Sequence, residues 1–102
     1  MDRQAAIKIA HDYIDHLNLL GYMIKESYLF GSFAKDTNRP DSDIDIAIVL
    51  NDMKDSHEEL VKMLKLRREV NLLIEPHPIR QQDFDEDYPL FYEIKNYGIR
   101  IS

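Results

Sequence analysis

The stretch Asp43-Ile-Asp-Ile-Ala-Ile-Val-Leu50 constrains this chain more than any other segment. It opens with polar–apolar alternation and ends as a continuous apolar run, the pattern of a strand buried on both faces for most of its length. Such a strand sits mid-sheet. Around it, residues 3–20 place Ala6, Ile7, Ala10, Ile14, Leu17 and Leu20 on one stripe at helical spacing, with Gly21 as a C-terminal stop. Glu26 to Phe30 reads as a strand running into Gly31-Ser32. Asp55 or Ser56 caps a helix from about His57 to Arg68, its apolar face formed by Leu60, Val61, Met63 and Leu64. Val70 to Ile74 reads as a third strand stopped by Glu75-Pro-His-Pro78, because proline cannot donate to a ladder. Residues 80–88 are acidic and loop-like, Pro89 opens a last helix through about Asn96, and Ile99 to Ile101 is too short to classify. The order α, β, turn, β, α, β, α predicts one α/β domain over residues 1–102.

Charge narrows the partners. Thirteen Lys and Arg face 19 Asp and Glu, for a net −6, and both halves of the chain are acidic. A protein that tracks a nucleic-acid backbone gains affinity from cations neutralising phosphates, so this balance argues against large-footprint DNA or RNA binding. Small anionic ligands stay open. The absence of Cys removes disulfides, thiol catalysis and Cys-ligated zinc, and fits a reducing compartment. Residues 1–20 carry no apolar leader core, and the longest apolar run, Ile46–Leu50, is far below a membrane span. A cytoplasmic protein without membrane association is expected.

The chemistry concentrates in residues 29–48, where Gly31-Ser32 is followed by ten residues and then Asp43-x-Asp45. On a strand, residues i and i+2 share a face, so Asp43 and Asp45 point the same way about 7 Å apart. Asp-x-Asp alone is usually a solvated strand start. Here Asp45 leads directly into an apolar run, where an unpaired carboxylate costs several kcal/mol unless it is paired or binds metal. A divalent cation held by both would offset that cost, and an oxygen-rich set of this kind suits Mg²⁺. Gly31-Ser32, between a strand and a turn, offers backbone N–H groups of the kind that bind phosphates, with a hydroxyl added by Ser32. A phosphate cradle at the end of one strand and a carboxylate pair at the start of its antiparallel neighbour would lie together. That is a site for a nucleoside triphosphate with Mg²⁺.

In order, spacing and residue type, residues 29–50, with the phrase GSFAK…RPDSDIDIAIVL, resemble the minimal nucleotidyltransferases of the DNA polymerase β-like nucleotidyltransferase superfamily. The resemblance implies an α+β nucleotidyltransferase fold, a small mixed sheet flanked by helices. It implies that Asp43 and Asp45 bind Mg²⁺ and that Gly31 and Ser32 hold the triphosphate. It also implies transfer of AMP from ATP to a hydroxyl, and a helical HEPN-type toxin as partner, which some members adenylylate on a tyrosine. Proteins of this family usually bring a third carboxylate from a later strand. Asn71 stands where similar proteins often carry Asp, while Glu75 follows on the same strand face. If the third strand runs parallel to the second, Asn71 would lie beside Asp43 and Glu75 about 13 Å further along. Geometry favours Asn71 and chemistry favours Glu75, because an asparagine cannot act as a base. The competing reading of Glu75 is a strand-end ion pair with Arg67, Arg68 or Arg80.

Lys35 and Arg39 lie in the loop over the phosphate site and could neutralise charge on the leaving pyrophosphate. His77, between two prolines and without a second nearby His, reads as a turn residue. Asp83, Asp85, Glu86 and Asp87 are expected to steer a basic partner, and Tyr88, Phe91 and Tyr92 to supply buried contacts or cap the core. Self-association is a further possibility. The alternative function is a non-catalytic nucleotide-binding antitoxin that neutralises its partner by occlusion, a reading that Asn71 favours.

Overall fold

The computed structural model describes residues 1–102. Helix α1 spans Arg3–Leu19, and its first turn is capped by Asp2, whose carboxylate accepts from the Ala5 N–H at 2.9 Å. It ends before Gly21, which takes φ +95°, a left-handed conformation that costs glycine little. Strands β1 (Ile24–Phe30) and β2 (Ile44–Leu50) pair antiparallel, with Phe30 opposite Asp45. Helix α2 (Ser56–Leu66) starts at Asp55, which accepts from the N–H groups of His57 and Glu58. It leads through a short 3-10 turn to β3 (Ile74–Arg80), which pairs parallel with β2. Helix α3 covers Phe91–Tyr97, and the two-residue β4 (Ile99–Arg100) closes the far edge against β1. The sheet order β3-β2-β1-β4 makes this a mixed four-stranded sheet with helices on both faces.

Every residue of β2 except Asp45 is buried, as its apolar run predicts. Ile44, Ile46, Ile48 and Leu50 face α1 and α2 in the main core, while Ala47 faces the opposite side with Tyr28, Phe30, Ile79 and Ile94. That second, smaller core is roofed by the C-terminal segment through Phe84, Tyr88 and Leu90. The aromatic cluster therefore divides. Phe91 stacks edge-on to Phe84 at 5.1 Å, whereas Tyr92 and Tyr97 are 57% and 56% exposed.

Three sequence expectations change. In α1 the buried stripe includes Tyr13 and omits Leu20, which lies past the helix end and is 52% exposed. In α2 only Met63 is buried, and Val61 faces solvent. The third strand does not run from Val70 to Ile74 but begins at Ile74 and continues through both prolines. It can do so because β3 is an edge strand: prolines two residues apart place both missing N–H groups on the outward side, and the intervening residues keep the ladder to β2. The same prolines blunt an edge that would otherwise template further pairing.

The buried Tyr13 ties α1 to α2, its hydroxyl donating to the Met63 carbonyl at 2.7 Å. Burial pushes this phenol well above the ordinary tyrosine range, so it stays a donor at any working pH. Tyr13→Phe leaves the Met63 carbonyl without its buried donor and should cost about 1–2 kcal/mol. A thermal melt should show a midpoint lower by roughly 4–8 °C per kcal/mol. An unchanged midpoint would mean that water replaces the hydroxyl.

Candidate active site

The antiparallel pairing of β1 and β2 brings the turn after Phe30 against the start of β2. Gly31 adopts φ +79°, and a Cβ built there would meet Asp45 Oδ2 at 2.4 Å. Glycine is required twice over at this position, for its left-handed backbone and for the approach of the carboxylate. Residues 31–37 then form a single turn, with Lys35 N–H donating to the Gly31 carbonyl and Thr37 N–H to that of Ser32. Phe33, fully buried in the main core, anchors it. The N–H groups of Ser32, Phe33 and Ala34 donate to no backbone carbonyl. The turn thus places N–H groups that lack a backbone acceptor near the Asp45 carboxylate.

Glu75 lies directly opposite Asp45 in the parallel β2–β3 register, so the two carboxylates share a face as lateral neighbours. This corrects the expectation that Asn71 would stand beside the Asp pair with Glu75 far along the strand. Asn71 belongs to the turn before β3, where its side chain accepts from the Leu73 N–H at 2.8 Å. The ion-pair reading of Glu75 also fails. Arg67 donates to the Ile74 carbonyl, Arg80 pairs with Asp83, and no cation of the chain bridges to Glu75. Like charges facing each other across a sheet are destabilising, so Asp45 and Glu75 together favour a cation between them.

Asp43 is exposed and lies just before β2, two residues from Asp45. Lys35 turns away toward α3, where its ammonium meets Glu93 at 2.8 Å and lies over the Tyr97 ring. The hydrogen bond to Glu93 and its negative charge hold Lys35 above the ordinary lysine range. Arg39 sits in an exposed turn whose N–H is bonded to Ser42 Oγ, leaving the guanidinium free of an ion pair. Of the expected residues, then, Gly31, Ser32, Asp43, Asp45 and Glu75 gather at one end of the sheet, Arg39 projects from the loop leading into β2, and Lys35 is engaged elsewhere.

One residue of the site escaped the sequence reading. His77 is a strand residue, not a turn residue, and its Nε2 lies 3.2 Å from Asp45 Oδ1. Its ring packs edge-on against Phe30 at 4.8 Å. The signal was the spacing of Glu75 and His77, which puts both on one face once β3 passes through the prolines.

The donor set is oxygen-only, apart from the imidazole that faces Asp45, and Asp45 Oδ2 packs so close to Gly31 that any Cβ at position 31 would strike it. Such a donor set suits a hard divalent cation. The acidic and histidine side chains do not already close around a common point. An ion of the magnesium kind is commonly held by one or two carboxylates, with water and substrate phosphates completing its shell.

Unpaired backbone N–H groups at a glycine turn beside adjoining carboxylates suit phosphoryl or nucleotidyl transfer. Residues 10–95 match the family model described as a nucleotidyltransferase domain, and the chain belongs to that family. No protein of curated function matches it in sequence. Among solved structures it is similar to a chain of a toxin–antitoxin complex with AMP-PNP, at 21% identity and TM-score 0.61, over 90% of this chain and 72% of that one. A mutant form of the toxin–antitoxin complex MntA–HpeT aligns at 22% identity and TM-score 0.64, over 89% and 69% of the two chains. A protein from Sulfolobus solfataricus described as a candidate nucleotidyltransferase aligns at 16% identity and TM-score 0.65, over 96% and 80%. At these identities the likeness is one of fold.

Proposed function

We propose that the chain transfers AMP from ATP to a hydroxyl, with Mg²⁺, as the antitoxin of a toxin–antitoxin pair whose acceptor is a tyrosine of a helical HEPN-type toxin. The observation that carries this reading is the lateral pairing of Asp45 with Glu75 beside the Gly31 turn. Asp43, Asp45 and Glu75 would hold the metal, which when bound offsets charge developing on the triphosphate. Backbone donors at Gly31 and Ser32 orient the phosphate chain, and Arg39 is the loop cation free to meet the pyrophosphate, whereas Lys35 would first have to leave Glu93. The acceptor oxygen bonds to the α-phosphorus while the bond from that phosphorus to the α,β-bridging oxygen breaks. Pyrophosphate leaves, and the hydroxyl proton passes to Glu75.

The similarity to chains of toxin–antitoxin complexes supports the partner class, as does the exposed acidic run Asp85–Asp87, suited to a basic surface. The non-catalytic alternative rested on Asn71 in place of an acid, and Glu75 beside Asp45 removes that motive. The decisive experiment incubates the chain, Mg²⁺ and a co-expressed helical toxin with ATP labelled at the α- or the γ-phosphate. Label should reach a toxin tyrosine from the α position only. Label from the γ position would make the protein a kinase, and none from either would favour neutralisation by occlusion.

A further inference from the structure

We infer that His77 is a positioning residue for Asp45, fixing that carboxylate with one oxygen held by the imidazole and the other packed against Gly31. The inference rests on the reading of Asp45 as a metal-holding group and adds to it a residue that neither the family match nor the Gly-Ser and Asp-x-Asp motif names.

The two oxygens of Asp45 have different surroundings. Oδ1 lies 3.2 Å from His77 Nε2, and Oδ2 is the atom that a Cβ on Gly31 would strike at 2.4 Å. An ionised carboxylate only accepts, so Nε2 carries the proton and donates to Oδ1. Nothing else in the chain hydrogen-bonds this carboxylate, so His77 is its one polar anchor.

The imidazole is itself well supported. His77 lies opposite Ala47 in the register, so only a methyl stands beside it and the ring can lean diagonally across to Asp45. Phe30 packs edge-on against the other side of the ring. Pro76 and Pro78 restrict the backbone on either side of it. Both side chains of the pair are only 26% exposed, so the bond is partly shielded from water. Partners that hydrogen-bond a metal-holding carboxylate typically change metal affinity by about 10–100-fold when removed.

The test is Mn²⁺ binding to the purified chain, followed by loss of the free-ion electron paramagnetic resonance signal, with a thermal melt of each variant alongside. His77→Phe keeps a ring against Phe30 and removes the donor; it should weaken Mn²⁺ binding by about 10–100-fold. His77→Leu provides the same deletion should the larger ring disturb the fold. His77→Gln, whose amide nitrogen stands at a similar reach, should bind within a few-fold of the wild type. Equal Mn²⁺ affinity in wild type and His77→Phe would overturn the positioning role and leave the reading of Asp45 intact. Equal loss in His77→Phe and His77→Gln would also overturn it, by making the imidazole itself the ligand. Mn²⁺ uptake that persists in Asp45→Asn, or is absent from the wild type, would remove the reading on which the inference stands, and the inference with it.

Discussion

Asp45→Asn is expected to abolish nucleotide transfer, a loss of about a thousandfold or more, given that a bound divalent ion supplies several kcal/mol of transition-state stabilisation. The fold should not suffer. Asparagine keeps an oxygen for His77 Nε2 and loses the negative charge that faces Glu75, its neighbour in the register. With that charge gone, the melting temperature should hold or rise slightly in the metal-free protein. Rates of α-phosphate label transfer, with a melt on the same sample, check both halves. A variant that transfers at the wild-type rate would take Asp45 out of the site; one that is inactive because it is unfolded would make Asp45 a structural residue.

The parts of the fold that were legible in the sequence are those where one physical cause dominates. The Ile44–Leu50 run reads as a buried central strand, and Gly21 and Asp55 mark helix ends through backbone freedom and local hydrogen bonding. Gly31 and Asp45 were legible as neighbours on the condition that their strands pair antiparallel, which brings the end of β1 against the start of β2. The third strand was misplaced because proline's lost donor was weighed without knowing which edge it faced. That one error displaced Glu75 by several residues, promoted Asn71 and made a turn residue of His77. Lys35 was misread for a different reason: its partner Glu93 is 58 positions away in the chain and reaches it only through the packing of α3 on β1. Edge position and long-range ion pairs are properties of the assembled sheet, and no window of local sequence contains them.

Gly31→Ala should separate the conformational from the steric demand on the turn. The left-handed backbone at φ +79° costs a non-glycine residue about 1–2 kcal/mol. The added Cβ must also displace the Asp45 carboxylate, since it would lie 2.4 Å from Oδ2 and 3.2 Å from Cγ. Because His77 holds the opposite oxygen, the carboxylate cannot swing aside without breaking that hydrogen bond. Transfer should therefore fall by about a hundredfold or more, the usual consequence of an ångström-scale misplacement at a reacting centre. In an Asp45→Ala background the clash is absent, and Gly31→Ala should cost only its backbone part, so the two substitutions will be non-additive in a thermodynamic cycle. Equal destabilisation in both backgrounds would show that Asp45 yields without strain. Undiminished transfer by the single variant would detach the turn at Gly31 from the chemistry altogether, leaving its glycine explained by backbone conformation alone.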